Sequence, residues 1–451
     1  MFKKVLIANR GEIAVRIIRA CRELGVRTVA VFSEPDRESL HAMIADEAIC
    51  IGPAKSADSY LNIKAILAAC ELTGAEAVHP GFGFLSENAG FARMCARCGV
   101  TFIGPSPEAM TLMGDKATAK QTMKKAGVPV VPGSDGLIES VEEAKALAEE
   151  IGYPVMVKAS AGGGGRGIRR VDRPEDLEDA IVNAKQEAKS FFGDDGVYLE
   201  KFIVDPRHVE IQLLADKYGN TVYLGERDCS LQRRNQKMVE ECPSPIMTPE
   251  LRARMGEAAV RAAKACGYEN AGTVEFLLSG DQFYFMEMNT RIQVEHPVTE
   301  FVTGVDLVKM QIRIAAGEEL PFKQEDIHLT GHAIECRINA ENPAQGFRPS
   351  PGRITALHMP GGPGIRIDTA VYSGYEITPY YDSMIAKLIA YAPTREEALK
   401  KMNWALAEFL VEGVDTNIDF QLKLLRDPDV EAGNYDIGFL GRNLGRLTKA
   451  K

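Results

Sequence analysis

The first hundred residues alternate between short apolar runs and longer amphipathic segments. The apolar runs have the length of β-strands, and the segment GEIAVRIIRACRELG has the spacing of a helix that ends near Gly25. The strand-like runs are KKVLIA, RTVAVFS, AEAVHPG and VTFIGPS. Strands that alternate with helices in this way predict a parallel sheet covered by helices.

The middle of the chain follows a different pattern. Residues 106–130 have helical spacing, and Pro129, Pro132 and Gly133 indicate a boundary. Residues 131–203 then predict a compact α+β unit with a glycine-tipped hairpin. Its predicted strands are YPVMVKAS, GIRRV and VYLEKFI, and its predicted helices are VEEAKALAEEIG and PEDLEDAIVNAKQEA.

The rest of the chain mixes strands and helices. Strand-like runs follow residue 204, and the tail has short strands between turns rich in proline and glycine. The predicted helices lie near 249–266, 304–316, 395–411 and 417–425. At about 150 residues per domain, a chain of 451 residues suggests roughly three domains. We therefore predict a multidomain protein of the α/β and α+β classes.

The charge balance argues against some classes of partner. The chain has 53 Lys and Arg against 63 Asp and Glu, a net charge of −10, which argues against nucleic-acid binding and against a basic membrane-surface protein. No apolar run approaches the roughly 18 residues of a membrane-spanning helix. The nine cysteines follow no disulfide framework and suggest reduced thiols. We interpret Cys95 and Cys98 as two cysteines one turn apart on a helix rather than as a metal-binding or redox pair. We expect a cytoplasmic globular protein.

The stretch KASAGGGGRGIR, residues 158–169, places five glycines between two predicted strands. A Walker-type or Rossmann phosphate loop opens a helix, whereas a strand follows here. The glycine N–H groups would instead cover an anion as a mobile lid. A solvated linker is the alternative, and the glycine run alone does not decide between the two.

The segment EMNTRIQVEH, residues 287–296, alternates polar and mostly apolar positions. This period of two predicts a strand with one polar face. Because the neighbouring sequence is apolar, we interpret that face as the floor of a site rather than as a solvated surface. The polar positions are Glu287, Asn289, Arg291, Gln293 and Glu295.

The hairpin before this segment suggests a cation. A three-residue loop at 280–282 would place Glu275 directly opposite Glu287, and like charges in that position are destabilising. Hard oxygen ligands of this kind suit Mg²⁺ or Mn²⁺. A protonated or water-bridged carboxylate pair is the alternative. The nearby run SLQRRNQK, with Lys237, is a candidate anion pocket or a solvated face.

These motifs together resemble the ATP-grasp superfamily and, within it, the biotin carboxylase family. The stretches that carry the resemblance are IANRGEIAVRIIRA, HPGFGFLSEN, FIGPS, MGDK, KASAGGGGRGIR, ERDCSLQRRNQK, EMNTRIQVEHPVTE, HAIECRINAE, YYDSMIAKLI and TNIDF. The resemblance implies a Rossmann-like N-terminal parallel sheet, an ATP-grasp domain with a mobile glycine-rich lid, and a C-terminal antiparallel sheet with helices. The implied domains are 1–112, 113–320 with its lid at 131–203, and 321–447.

The resemblance also implies a reaction. Bicarbonate is phosphorylated by ATP to carboxyphosphate, which carboxylates carrier-bound biotin, and ADP and phosphate are released. The expected pathway role is the first half-reaction of acetyl-CoA carboxylase, which leads to malonyl-CoA for fatty acid synthesis. The alternative is the biotin carboxylase subunit of a pyruvate or propionyl-CoA carboxylase. Another ATP-grasp ligase and a non-catalytic nucleotide-binding module are the competing classes.

Each implied role falls on a residue present in this sequence. The implied ATP-binding residues are Lys116, Lys158, Gly163, Gly164, Gly165, Glu200, Lys201, Ile203, His208, Gln232, Asn235, Glu275 and Glu287. Two Mg²⁺ or Mn²⁺ ions are expected on Glu275, Glu287 and Asn289. Bicarbonate is expected on Lys237, Arg291, Gln293 and the Val294 backbone. Glu295 would be the general base, and Arg337 would stabilise the biotin enolate. Asn235 departs from the His that we expect in many members.

The resemblance implies protein partners as well. Because the chain lacks an A-M-K-M-type biotinylation motif, we expect a separate biotin carboxyl carrier protein and separate carboxyltransferase subunits. A homodimer is also expected, since Arg16, Arg19 and Glu23 match positions that build the dimer interface in relatives. A solvated helix face is the alternative for these three residues.

Overall fold

A computed structural model describes residues 1–159, 168–192 and 195–449. The chain divides into two compact units. The first unit comprises residues 1–128, 207–276 and the chain from 287 onward, and the second comprises 129–206 with 277–286. Within the described ranges, no helix combines the length and the apolarity needed to cross a bilayer.

The first unit begins with a five-stranded parallel sheet, as the alternating pattern predicted. Its order is β3-β2-β1-β4-β5, with β1 Lys4–Ile7, β2 Arg27–Ser33, β3 Glu47–Gly52, β4 Ala77–His79 and β5 Thr101–Phe102. Sequence reasoning missed β3, whose side chains are mostly half-buried or exposed. The helices of this region are α1 Gly11–Glu23, α2 Leu40–Ile44, α3 Ile63–Thr73, α4 Ala89–Arg97, α5 Pro107–Gly114 and α6 Lys116–Lys125.

The second unit contains the predicted hairpin in a three-stranded antiparallel sheet. The order is β7-β6-β8, with β6 Val155–Ala159, β7 Ile168–Val171 and β8 Val197–Lys201, and its helices are α7 Val141–Ile151 and α8 Leu177–Phe192. Apolar side chains from the strands and both helices form its core. The glycines between β6 and β7, including Gly163, Gly164 and Gly165, lie outside the described residues.

An eight-stranded sheet follows, in the order β13-β12-β9-β10-β11-β14-β21-β19. The remaining strands are β9 Arg207–Ala215, β10 Thr221–Arg233, β11 Gln236–Cys242, β12 Asn270–Ser279, β13 Gln282–Asn289, β14 His332–Asn339, β15 Glu341–Asn342, β16 Arg348–Pro349, β17 Gly352–Arg353, β18 Ala356–His358, β19 Ile365–Thr369, β20 Glu376–Ile377, β21 Met384–Ala392 and β22 Leu410–Glu412. The remaining helices are α9 Pro249–Ala265, α10 His296–Thr303, α11 Leu307–Ala315, α12 Arg395–Glu408, α13 Ile418–Leu425, α14 Pro428–Glu431 and α15 Phe439–Leu447.

Two local predictions near the polar segment were wrong. The strand predicted over 287–296 ends at Asn289, and α10 begins at His296 with Pro297 in its first turn. Proline suits the start of a helix but cannot donate to a strand ladder. The predicted three-residue loop is also wrong, because only Gly280 and Asp281 separate β12 from β13. Gly280 takes the positive φ, +60°, that such a tight turn favours.

Candidate active site

Lys237 on β11 is the centre of a buried charged cluster. Its Nζ lies 2.6 Å from Glu210 Oε2, 3.0 Å from Glu275 Oε1 and 2.6 Å from Glu295 Oε1. Burial disfavours the charged form of Lys237, but the surrounding acidic groups outweigh burial and hold its pKa well above the usual range. One ammonium therefore joins three carboxylates from β9, β12 and the segment before α10.

Glu295 is held by two cations. Its Oε1 accepts from Lys237, and its Oε2 accepts from the Arg337 guanidinium at 2.9 Å. Only 1% of Glu295 is exposed. Burial opposes ionisation of this carboxyl, but Lys237 and then Arg337 lower its pKa well below the usual range. The predicted base is therefore a fully formed carboxylate in this arrangement.

Arg227 on β10 organises the cluster from inside the protein. Its guanidinium donates to Glu210 Oε1 and to Gln293 Oε1, both at 2.6 Å. The amide nitrogen of Gln293 then donates to Glu275 Oε1 at 2.8 Å. Arg227 is completely buried, so every bond that it makes fixes a neighbour in place. The orientation of the Gln293 amide is set at both of its ends.

Arg291 occupies a more open position than Lys237. Its Nε donates to Glu87 Oε2 at 3.0 Å, and its Nη2 donates to Asn289 Oδ1 at 3.1 Å. Glu87 also accepts from the Thr290 backbone N–H at 3.0 Å. About a fifth of the Arg291 side chain, 22%, is exposed. A guanidinium held in this way can meet an anion that arrives from solvent.

Two side-chain nitrogens contact the Glu275 carboxylate. Asn289 Nδ2 donates to Glu275 Oε1 at 2.8 Å, and His208 Nε2 lies 2.9 Å from Glu275 Oε2. Desolvation of the carboxylate and the charge of Glu275 raise the pKa of Glu287, which lies near the end of β13. Mutual repulsion between two carboxylates beside an amide oxygen is relieved by a divalent cation, so these residues fit Mg²⁺ or Mn²⁺.

Two other groups of donor atoms lie close enough together to hold a metal ion. They are His208 with Glu210 and Glu275, and Glu210 with Cys229 and Glu295. Lys237 contacts a glutamate of both groups, and Arg227 contacts Glu210. The two carboxylates of the second group, Glu210 and Glu295, are already neutralised by protein cations, so that group does not require a metal.

Arg337 on β14 connects the cluster to a second carboxylate pair. Its Nε donates to Glu240 Oε1 at 2.6 Å. Glu240 lies directly opposite Glu335 in the register of β11 with β14. Burial raises the pKa of Glu240 to about 7 and raises that of Glu335 well above the usual range. Among the described residues, neither Glu335 oxygen has a hydrogen-bond partner, so the pair retains a proton.

The other nucleotide-binding candidates of the first unit lie on or beside its strands and helices. Lys116 begins α6, and Gln232 pairs with Lys237 across β10 and β11. Arg234 and Asn235 form the turn of that hairpin with φ of +50° and +64°. Asparagine tolerates this left-handed conformation better than most residues, which accounts for Asn235 at a turn position.

The candidates of the second unit lie on β6 and β8. Lys158 Nζ donates to Glu200 Oε2 at 2.5 Å. Lys201 Nζ donates to the carbonyl oxygens of Gly152 and Tyr153 at 2.8 and 3.0 Å. Ile203 follows β8 and is half-buried. These contacts tie both lysines to their own unit.

Comparisons with known proteins identify the family. Three family models match consecutive parts of the chain: "Biotin carboxylase, N-terminal domain" over 1–110, "Carbamoyl-phosphate synthase L chain, ATP binding domain" over 115–323, and "Biotin carboxylase C-terminal domain" over 335–442. Biotin carboxylase 1 of Bacillus subtilis is 61% identical over 98% of both chains. The chain belongs to the biotin carboxylase family. It is an ATP-binding, ATP-dependent ligase of the ATP-grasp type.

Biotin carboxylases from different parent enzymes resemble this chain. A pyruvate carboxylase subunit of Methanothermobacter thermautotrophicus is 55% identical over 98% of this chain and 90% of that protein. The biotin carboxylase domain dimer of Hydrogenobacter thermophilus 2-oxoglutarate carboxylase, solved with MgADP, ADP and bicarbonate, is 54% identical over all of both chains with a TM-score of 0.89. The family is therefore shared by proteins that belong to a pyruvate carboxylase and to a 2-oxoglutarate carboxylase.

Several predicted residues of this biotin carboxylase lie together in the first unit. The structure joins Lys237, Gln293, Glu295, Arg337, Glu275 and Asn289 through hydrogen bonds, and Arg291 joins them through Asn289. Sequence reasoning missed Glu87, Glu210 and Arg227. A usable signal was present for two of them, because RHVEIQLLAD and TVYLGERDCS each place charged residues within a run of strand-forming residues.

Of the three residues on α1 that we expect at a dimer interface, one is buried within its own chain and two are exposed. Arg16 is buried, and its guanidinium contacts Glu300 and Asp306 at 2.8 and 2.7 Å. Arg19 and Glu23 are exposed, and Glu23 pairs with Lys309. A freely solvated position for Arg16 is therefore wrong.

Proposed function

We propose that this biotin carboxylase transfers a carboxyl group from bicarbonate to biotin on a separate carrier protein, as the first half-reaction of acetyl-CoA carboxylase. The similarity to Biotin carboxylase 1 of Bacillus subtilis, which covers 98% of both chains, supports biotin carboxylation by a chain of this length. A pyruvate carboxylase role is the second candidate, because one polypeptide of a pyruvate carboxylase is 55% identical to this chain. A propionyl-CoA carboxylase role is a further alternative.

The observation that carries the proposed chemistry is the position of Glu295 between Lys237 and Arg337. Bicarbonate is a poor nucleophile until its proton is removed, and a carboxylate is a suitable acceptor. The pKa of Glu295 is too low for this task while both Lys237 and Arg337 bind its carboxylate. We propose that Lys237 turns from Glu295 toward the incoming anion, which raises the proton affinity of Glu295 when a base is needed.

Bicarbonate would be held by Lys237, Arg291, Gln293 and the Val294 backbone. Arg291 and Lys237 attract the anion, and the Gln293 amide, fixed by Arg227 and Glu275, orients it. Arg337 would then stabilise the enolate of the biotin ureido group, because its guanidinium lies beside the base. These side chains supply positive charge where negative charge develops.

ATP would be bound by the residues that the family resemblance implies. Glu275, Glu287 and Asn289 would hold one or two Mg²⁺ or Mn²⁺ ions, which neutralise charge on the phosphates when bound. A relative solved with MgADP and bicarbonate supports the binding of a magnesium nucleotide and of bicarbonate, but not the choice of these ligands. We propose that the glycine-rich lid excludes water from carboxyphosphate and so protects it from hydrolysis.

The partners would be a biotin carboxyl carrier protein, carboxyltransferase subunits and a second copy of this chain. The dimer of the Hydrogenobacter thermophilus domain supports the last of these. Arg19 and Glu23, both exposed on α1, are the residues that we propose for the dimer interface.

The parent enzyme can be tested by its acceptor. The affinity-tagged chain is purified from its own cells with its bound partners, and the complex receives ATP, Mg²⁺ and labelled bicarbonate. Acetyl-CoA, propionyl-CoA, pyruvate and 2-oxoglutarate are then supplied one at a time. We expect label only in malonyl-CoA. Label in oxaloacetate would instead support the pyruvate carboxylase role.

A further inference from the structure

A lysine outside the predicted site lies beneath the segment that carries Gln293 and Glu295. Lys387 is on β21, and its side chain is completely buried. Its Nζ donates to the Val294 carbonyl oxygen at 2.9 Å. This carbonyl belongs to the peptide bond that joins Val294 to Glu295.

Two carboxylates compensate the charge of Lys387. Glu12 Oε1, from the first turn of α1, lies 3.2 Å from the ammonium, and Asp368 Oδ2, from β19, lies 3.7 Å away. Asp368 is directly opposite Lys387 in the register of β19 with β21. Burial disfavours the ammonium, but Glu12 and Asp368 raise the pKa of Lys387 above its usual value. The residue therefore remains a cation within the core.

Stability alone is a poor reason for this arrangement. A buried ion pair seldom stabilises a fold more than apolar side chains of similar volume would. Lys387 instead directs a charged donor to a main-chain oxygen between two residues of the candidate site. The 290–295 segment has neither helical nor strand hydrogen bonding to hold it, so contacts of this kind fix its peptide planes.

We propose that Lys387 is a positioning residue for bicarbonate binding. By holding the Val294 carbonyl, it fixes the peptide plane between Val294 and Glu295, and with it the position of the Val294 backbone and the direction of Glu295. The inference rests on the proposed function, in which Glu295 and the Val294 backbone meet the anion. Arg337, directly opposite Lys387 in the register of β14 with β21, lies on the same face of the sheet.

Removal of Lys387 alone would leave Glu12 unpaired and could unfold the protein. The test variant is therefore Lys387→Met combined with Glu12→Gln. Its matched control is Glu12→Gln alone, which keeps Lys387 and its bond to Val294. Initial rates of ADP release are measured with biotin as acceptor, and bicarbonate and ATP are varied separately. Thermal unfolding by circular dichroism is recorded for each protein.

We expect the double variant to raise the KM for bicarbonate by about tenfold, because a hydrogen bond from a charged donor is lost. The KM for ATP should stay within about twofold of wild type, since only the anion subsite is misplaced. The control should match wild type for both substrates. A folded double variant with an unchanged bicarbonate KM would overturn the proposal. Equal losses for both substrates with a lowered melting temperature would also overturn it, because they indicate a purely structural role.

Arg291→Ala separates this inference from the proposed function. If Arg291→Ala raises the bicarbonate KM and the double variant does not, only the role of Lys387 is wrong. If Arg291→Ala also leaves the bicarbonate KM unchanged, the anion site itself is wrongly assigned.

Discussion

Lys237 Nζ lies 2.6 Å from Glu295 Oε1, and this pair is the closest link between the predicted anion-binding cation and the predicted base. The same ammonium contacts Glu210 and Glu275. Glu295 therefore has a depressed pKa until Lys237 gains another partner. Bicarbonate is an anion that can become that partner, so substrate binding and activation of the base are coupled through one side chain.

Lys237→Gln should weaken bicarbonate binding while ATP binding persists. The variant loses a charged donor, and the loss of about 1.5–3 kcal/mol corresponds to a rise of roughly 10- to 150-fold in the bicarbonate KM. Steady-state rates of ADP release with biotin as acceptor provide the measurement. Lys264→Gln, at an exposed position on α9, is the control and should match wild type. A Lys237→Gln enzyme with a normal bicarbonate KM would show that the ammonium has only a structural role.

Glu287→Lys should abolish metal-dependent turnover. The substitution places an ammonium where a divalent cation should bind beside Glu275, and two cations repel each other there. Binding of Mn²⁺ in the presence of ADP, followed by electron paramagnetic resonance, should be lost with the activity. Glu257→Lys, on the exposed side of α9, makes the same charge change elsewhere and should retain both. Retained Mg²⁺-dependent ATP cleavage in folded Glu287→Lys would contradict the metal assignment.

Glu335→Gln should remove a source of pH-dependent instability. The pKa of Glu335 is raised by burial, so the native state keeps a proton that the unfolded chain releases above its own pKa of about 4.3. Wild-type stability should therefore fall as pH rises above that value. Glutamine imitates the protonated acid, so the variant should melt at a temperature equal to or above wild type at pH 8. The difference in melting temperature between the variant and wild type should disappear at pH 5.

Glu241→Gln is the matched comparison of opposite sign. Burial opposes ionisation of Glu241, but hydrogen bonds from His332 and Arg395 outweigh burial and lower its pKa to about 2. Its stabilising contribution is present at neutral pH and is lost as pH falls below about 4 toward 2. Glu241→Gln should therefore be destabilised at pH 7.

The outcome that would contradict the prediction for Glu335 is a strongly destabilised Glu335→Gln at pH 8, because it would mean that Glu335 is ionised in the native protein.

The parts of the fold that local patterns specify were predicted correctly. The alternation of the VLI and VAVFS runs with an amphipathic helix indicated the parallel sheet. Both strands of the glycine-tipped hairpin also lie where their apolar residues predicted them. The function of the glycines and the domain limits at 1–112, 113–320 and 321–447 stay predictions. The 290–295 segment was mistaken for a strand because its polar alternation continues past Asn289, although Pro297 already favours a helix start.

The partners of the site residues could not be predicted from local patterns. Each contact joins residues that are far apart in the sequence. The separation is 66 positions between Arg227 and Gln293 and 204 positions between Glu87 and Arg291. It is 93 positions between Lys387 and Val294. Only the three-dimensional arrangement of the sheet and its neighbouring segments brings such pairs together. Glu335 and Arg337 alternate along β14, but their relation to Glu240 depends on the register of β11 with β14.

The most direct test of the proposed mechanism is the rate of biotin carboxylation by Glu295→Gln. The amide keeps the size of Glu295 but cannot accept the proton of bicarbonate. Loss of a general base typically costs about 10²–10⁴-fold in rate, and we predict a loss of this size in labelled carboxybiotin formation. MgATP should still bind with an affinity near that of wild type. Turnover within about threefold of wild type would contradict the assignment of Glu295 as the base.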